Sequence, residues 1–252
     1  MHATIQTPSA TGAAAEAGPW CCICGKAVTG WLPHPQRAQR SEFMKLMETV
    51  GSDLSVYQCP SCHCNDRDRH LWLYMQAAGI PRDLAGARVL HVAPERHLEA
   101  LIAAHDPAAY VRGDLHPQRA GHVALNVEAL DFGDGSFDLI VCNHVLEHVG
   151  DPDRALAELH RCLVPGGLLI AQTPYAPKLK HTLELNVPVS PEFARLFYGQ
   201  EDHVRLFGLD LLDAFARAGF KGQAVAHEHL LPTVDPMRAG CNPREPFFAF
   251  HK

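Results

Sequence analysis

Ser136 to Pro174 reads SFDLIVCNHVLEHVGDPDRALAELHRCLVPGGLLIAQTP, and the fold turns on it. Phe137-Asp138-Leu139-Ile140-Val141 is short, apolar and β-branched, the composition of a strand buried on both faces. Polar side chains follow abruptly at Cys142-Asn143-His144. Asp151-Pro152 is a helix-start signal, a capping residue before proline at the first helical position. Ala155, Leu156, Leu159, Cys162 and Leu163 then recur at helical spacing, and Gly166-Gly167 is expected to end the helix. Leu168 to Ala171 reads as a second buried strand, closed by Pro174. Strand, helix and strand of this length predict a βαβ unit with parallel strands and a right-handed crossover. Ligands of open parallel sheets bind beyond the carboxyl ends of the strands, which puts Asn143, His144, Thr173 and Tyr175 at the mouth of a site.

The same rhythm extends upstream. Arg88–Val92, Tyr110–Asp114 and His122–Asn126 are predicted strands, with a helix over Leu98–His105. Downstream, Lys178 to Arg205 carries prolines, aromatics and charges and is too long for a plain connection. A lid insertion over about 176–205 is expected. Leu209–Ala218 is a predicted helix stopped by Gly219, and Gly222–Leu230 with Pro246–Phe250 is expected to form an antiparallel hairpin. Toward the start, Ser41 caps a short predicted helix in which Phe43, Leu46, Met47 and Val50 share a face. Asp66–Ala78 reads as a helix with Leu71, Trp72 and Met75 inward and Gly79 as its stop. The organisation predicted is a flexible tail (1–19), a small N-terminal subdomain (20–80) and an α/β domain (81–252).

A chain of 252 residues with 47% hydrophobic content buries a sizeable core. The net charge of −6 gives no general argument for nucleic-acid binding. Met1 to Pro19 has neither the basic start nor the apolar run of a signal peptide, and no apolar segment approaches the roughly 20 residues that span a bilayer. A reducing, cytoplasmic setting is therefore expected, with the nine cysteines acting as metal or packing residues rather than disulfides.

Cys21-x-x-Cys24 and Cys59-x-x-Cys62 are two such pairs. Thiolates three residues apart on a tight turn grip one tetrahedral ion, and two turns complete its shell, so zinc is expected on Cys21, Cys24, Cys59 and Cys62. Cys22, Cys64, His63 and His70 stand as alternative ligands. The ion has two open roles: a staple for a subdomain with little core of its own, or a centre with a free position that holds a substrate thiol as thiolate.

The ordered segments VLHVAPE, GDL, FDLIVCNHVLEH, LVPGGLLIAQTP and DHVRLFG together resemble the class I S-adenosylmethionine-dependent methyltransferases. More narrowly, they resemble a bacterial branch in which a CxxC…CPxC zinc element runs into an Arg-rich helix, here Asp66-Arg67-Asp68-Arg69-His70. The resemblance implies a Rossmann-like sheet, mostly parallel with an antiparallel last strand, and S-adenosylmethionine as cofactor. His91-Val92-Ala93-Pro94-Glu95 stands where the family usually has its glycine-rich turn, which makes His91, Ala93 and Glu95 candidate cofactor residues. By the same resemblance Asp114, followed by Leu115, holds the ribose hydroxyls and Asn126 with Val127 meets adenine. Asn143 with His144 walls the methionine part. The resembling enzymes keep a histidine near the methyl group within the polar stretch Gln200 to Arg205, so His203 is the expected general base, oriented by Asp202 or Glu201, with His144 beside it.

Methyl transfer to a small molecule follows from the resemblance. Zinc-assisted S-methylation of a thiol or dithiol is the leading expectation, and O-methylation of a sugar or secondary metabolite with a purely structural zinc is the runner-up. An RNA methyltransferase docking through Arg67, Arg69 and Arg82, or a non-catalytic zinc-ribbon adaptor, completes the alternatives. Neither nucleic-acid nor membrane partners are expected.

Overall fold

Six strands form the central sheet of the computed structural model, which describes residues 18–252. The expected flexible tail lies outside the described residues except for its last two positions. In chain order the elements are β1 (Trp20–Cys21), β2 (Lys26–Ala27), α1 (Glu42–Leu46), α2 (Asp66–Ala77), α3 (Ile80–Asp83), β3 (Arg88–Val92), α4 (Arg96–Ala103), β4 (Ala109–Asp114) and β5 (Val123–Ala124). They continue through β6 (Phe137–Cys142), α5 (Pro152–Cys162), β7 (Leu163–Ile170), α6 (Pro191–Phe197), α7 (Leu211–Arg217), α8 (His227–Leu230), α9 (Pro236–Ala239) and β8 (Ala249–His251). The sheet order is β5-β4-β3-β6-β7-β8, parallel throughout except that β8 runs antiparallel to β7. This is the Rossmann-like sheet expected from the sequence, mostly parallel with an antiparallel last strand.

The βαβ unit forms where its signals stand. The Asp151 side chain accepts a hydrogen bond from the Arg154 amide and Pro152 opens α5, whose Ala155, Leu156, Leu159 and Cys162 are fully buried. Its end differs from the expectation. The helix stops at Cys162 and the strand begins at Leu163, so Gly166-Gly167 lie inside β7. Phe137 pairs with Leu163 but Leu139 with Leu168, a bulge that needs Gly166 at φ +80°. The glycines serve a strand irregularity, not a helix cap.

The predicted C-terminal hairpin is also corrected. Only β8 is a strand; Gly222–Leu230 touches its partners through single bridges, Lys221 to His251 and Val225 to Phe247, and then turns into α8. Gly222 at φ +118° leaves the ladder, and the turn carries His227 into the interior. Leu46 is a third correction. It is 69% exposed because α1 lasts little more than a turn and its period does not reach Val50, which bridges Tyr175 instead.

One apolar core, with Leu90, Ile140, Leu156 and Phe215, packs one face of the sheet. On the other face α2 contributes Leu71, Trp72, Tyr74 and Met75 to a core shared with Val89, Val141 and Phe247. Among the described residues the N-terminal segment also has a small buried cluster of its own, Cys21, Cys59 and Cys64, with Ile23, Val28 and Trp31 against it. Residues 176–205 hold α6 and fold back onto α1, burying Met44, Ala194 and Tyr198 together. Among the described residues no helix is long and apolar enough to cross a membrane.

Candidate active site

Parallel alignment brings the carboxyl ends of β3, β4, β5 and β6 to one edge, and the residues of the expected cofactor site stand there. Asn143 follows β6, is buried, and clamps two neighbours: its Oδ1 accepts from the Gln172 amide at 2.9 Å and its Nδ2 donates to Glu95 at 3.1 Å. Ala93, after β3, has φ +48° and its amide donates to the Gly113 carbonyl at 2.7 Å. A positive φ at a β-carbon residue is uncommon, and the tight turn does here what glycine does elsewhere. His91 is wholly buried, with Nε2 at 2.7 Å from Glu95 and Nδ1 at 2.8 Å from the Tyr110 hydroxyl. Both ring nitrogens are engaged, so His91 braces Glu95 from behind. Burial pushes the Glu95 carboxyl up, but the hydrogen bonds from His91 and Asn143 outweigh it and hold it below the ordinary range.

Asp114 closes β4 and accepts the His116 amide on Oδ1 at 2.8 Å, while Oδ2 has no partner among the described residues. Leu115 beside it is 61% exposed. Asn126 is exposed and its side chain caps its own turn through the Glu128 amide at 2.9 Å. The Val127 side chain is in the core, which leaves only its backbone for a ligand. A free carboxylate oxygen, an exposed apolar surface and an anionic Glu95 along one edge suit the ribose, the adenine and the ammonium group of S-adenosylmethionine respectively.

Beyond this edge lies a cavity of about 350 Å³ between the loop after α1, the first turn of α2 and the 195–203 segment. Its lining includes both His144 and His203. His144 sits at φ +54°, with Nδ1 at 3.4 Å from Glu147 and Nε2 at 3.9 Å from Glu245. Glu245 approaches His70 at 3.7 Å, and His70 shares a 2.8 Å hydrogen bond with His227. A chain of buried ionisable groups therefore runs from the cavity floor under the sheet edge. Burial pushes Glu147 and Glu245 up, but the histidines beside them win and both carboxyls are held low.

His203 is 4% exposed. Its Nδ1 is 2.8 Å from the Tyr198 carbonyl, which only accepts, so Nδ1 carries the proton and Nε2 keeps its lone pair. Among the described residues that Nε2 is buried without a hydrogen-bond partner, as are His144 Nε2, Glu147 Oε2 and Glu245 Oε1. Burial pushes His203 below the ordinary histidine range and the charge of Glu147 only partly restores it. The ring is neutral at neutral pH. Asp202 does not orient it: that side chain is 71% exposed and lies 3.4 Å from His148. Glu201 instead stands 3.7 Å from Arg195. The expected orienting carboxylates are replaced by a backbone carbonyl.

Arg205 fixes the segment that carries His203. It is fully buried, donates to the carbonyls of Leu146, Val149 and Gly150, and grips Glu184 with two bonds of 2.8 and 3.0 Å. It thus ties the strand-end loop of Glu147 to the folded-back segment. Thr173 is buried with its hydroxyl on the Ala171 carbonyl, and the Tyr175 backbone bridges Val50 and Phe207; neither lines the cavity. Arg205, Glu147 and Glu245 escaped sequence reasoning. The signal for Arg205 was its place at the end of an unusually polar run, whereas Glu245 lies in a loop with no motif.

Cys21, Cys59, Cys62 and Cys64 place their sulfurs within 4.8 Å of one another. Cys64 stands where Cys24 was expected in that cluster. Cys21 lies 3.5 Å from Cys64 and 3.8 Å from Cys62. Sulfurs at about 2.3 Å from a tetrahedral zinc are roughly 3.8 Å apart, so the set fits that ion. His63 takes φ +63° in the second turn and does not join the cluster. Arg69 lies under Trp31 at 4.0 Å and reaches the Cys64 and Gly240 carbonyls, stitching the cysteines to the C-terminal segment. None of these cysteines lines the cavity of His144 and His203.

Residues 85–171, the segment from β3 to the end of β7, match the family model described as a methyltransferase domain. Among curated proteins, the ubiquinone/menaquinone biosynthesis C-methyltransferase UbiE of Pseudoalteromonas translucida is 49% identical over 49 residues, 19% of this chain and 20% of that protein. UbiE of Escherichia coli is 32% identical over 83 residues, 33% of this chain and 29% of its own. The chain thus spans about a fifth to a third of the curated relatives it matches. A solved S-adenosylmethionine-dependent methyltransferase of Mesorhizobium loti aligns over 69% of this chain and 96% of its own at 17% identity, with a TM-score of 0.46.

Proposed function

We propose that this chain, which carries a class I S-adenosylmethionine-dependent methyltransferase domain, methylates an oxygen of a small molecule held in the 350 Å³ cavity, with His203 as general base. The observation that carries the reading is the His203 ring. Its tautomer is set by the Tyr198 carbonyl, and its lone pair is buried at the cavity wall with no donor among the described residues to occupy it.

Bound S-adenosylmethionine supplies an activated methyl group on a sulfonium sulfur, so the protein need only align and deprotonate. Asp114 would hold the ribose hydroxyls, with Leu115, Asn126 and the Val127 backbone around adenine. Ala93, Glu95 and Asn143 would hold the methionine end. His203 Nε2 would take the proton of an acceptor hydroxyl held at the cavity wall, leaving that oxygen ready to accept the methyl group. His144, braced by Glu147 and Glu245, orients the acceptor from the cavity floor.

The cysteine cluster would hold a structural zinc. Zinc-assisted S-methylation draws no support from the geometry, because a zinc on these cysteines does not face the acceptor cavity. RNA docking is weakened in the same way, since Arg69 is completely buried. The thiol cluster, with a spacing that suits a metal, fits a reducing, cytoplasmic setting.

The test is a panel of small-molecule thiols and alcohols assayed with the wild-type chain and His203→Ala. Removing the base should lower turnover about 10²- to 10⁴-fold at unchanged cofactor affinity. The wild-type rate should rise with pH below the ordinary histidine range and be flat above neutrality, since the depressed His203 pKa keeps the base free there. Methylation of thiols alone, or full activity in His203→Ala, would overturn the assignment.

A further inference from the structure

The acceptor cavity is basic in an acidic protein. The chain carries a net charge of −6, yet the fixed charges lining the cavity are Arg40, Arg67 and Arg195 against the single carboxylate Glu201. The three guanidiniums come from different places: Arg40 just before α1, Arg67 in the first turn of α2, and Arg195 in α6. A solvated basic face of one helix would not converge in this way.

Nor are these charges spent within the protein. Arg195 and Glu201 stand 3.7 Å apart, and with 38% and 61% of their side chains exposed they form a weak, water-screened pair. Arg40 gives its Nη2 to the Thr49 carbonyl and has no carboxylate within bonding distance among the described residues; burial together with the charge of Arg244 presses its pKa down against the more distant Asp53. Arg67 has neither a hydrogen bond nor an ion pair among the described residues. The buried carboxylates Asp66 and Glu245 lie within the field of its charge, but neither bonds to it among the described residues. Planar guanidinium forks match the two oxygens of a carboxylate or phosphate, and a cavity of this volume admits a small molecule rather than a polymer.

We infer that the methyl acceptor is an anion, seated by a carboxylate or phosphate on Arg67 with Arg40 and Arg195 beside it, and so held with its hydroxyl toward His203 and His144. The inference rests on the reading of this cavity as the acceptor site. It adds the chemical class that the site selects: hydroxy acids or phosphorylated alcohols in preference to neutral sugars.

The experiment titrates the full chain, with and without saturating S-adenosylhomocysteine, with inorganic phosphate, a small carboxylate and the neutral polyol glycerol at constant ionic strength. Phosphate and carboxylate should bind and raise the melting temperature while glycerol should not. Arg67→Gln should weaken phosphate binding tenfold or more and leave S-adenosylhomocysteine affinity unchanged. Arg195→Gln should weaken it less, since Glu201 already shares that charge. Absence of phosphate binding to the wild type, or equal binding by both variants, overturns the inference. Loss of S-adenosylhomocysteine affinity in Arg67→Gln, with phosphate binding intact, overturns it too and gives that guanidinium to the cofactor's own carboxylate. If the wild type binds phosphate but no S-adenosylhomocysteine, the methyltransferase reading fails while the anion site stands.

Discussion

Replacing Arg205 by methionine keeps most of the buried volume and removes the guanidinium. Three carbonyls, those of Leu146, Val149 and Gly150, then lose their donor, and Glu184 loses both of its bonds. An orphaned buried carbonyl costs about 1–3 kcal/mol, but the contributions are not additive, and some of these groups will find water. Glu184 is 39% exposed, so its carboxylate relaxes into solvent and adds little. Three orphaned carbonyls at that cost, partly relieved by water, give an expected destabilisation of about 3–5 kcal/mol. At roughly 2–4 °C per kcal/mol for a chain of this size, the melting temperature should fall by about 6–20 °C. Lysine should not rescue, because one ammonium cannot reach the carbonyls and the carboxylate together. Thermal and urea denaturation measure the loss, and NMR titration of the histidine rings reads its local consequence. Unpinned, His203 should gain water and titrate nearer the ordinary histidine range. A loss under about 1 kcal/mol would refute the claim that Arg205 carries this packing. A destabilised variant with His203 titration unchanged would refute the claim that it positions the base.

Two further perturbations separate the cofactor edge from the cysteine cluster. Asp114→Ala should weaken S-adenosylhomocysteine binding roughly 10- to 100-fold, the cost of one or two charge-assisted hydrogen bonds; calorimetry showing wild-type affinity would remove Asp114 from the ribose. Cys59→Ser, or chelation, should strip zinc and lower stability by several kcal/mol, because metal binding and local folding are one equilibrium in such sites; elemental analysis and melting curves on the same samples decide. A folded, fully stable apo-protein that had lost only thiol methylation would restore the zinc to the reaction.

The βαβ unit was legible because its signals are local. Asp151-Pro152 starts a helix whatever surrounds it, and the alternation of an apolar strand with a 3.6-period helix needs no partner to be recognised. Parallel topology then followed from chain geometry, and with it the placing of Asn143 and Asp114 at strand ends. Gly166-Gly167 misled for the complementary reason. A positive φ serves a helix cap or a strand bulge equally, and only the pairing of β7 with β6 chooses between them. Likewise the spacing of Cys21, Cys24, Cys59 and Cys62 announced a thiol cluster, while Cys64 took its place by the path of the second turn.

What tertiary structure alone decided is which charges meet. Glu245 reaches His144 from a hundred residues away in sequence, Arg67 and Arg195 face one cavity from separate helices, and Arg205 locks two loops that share no motif. Local propensity follows from the covalent chain and its immediate neighbours, so the sequence by itself determined the βαβ unit, the parallel strands and the thiol cluster. Burial, the sign of the field in the cavity and the free lone pair of His203 depend on distances between remote segments. They exist only once the chain has closed on itself.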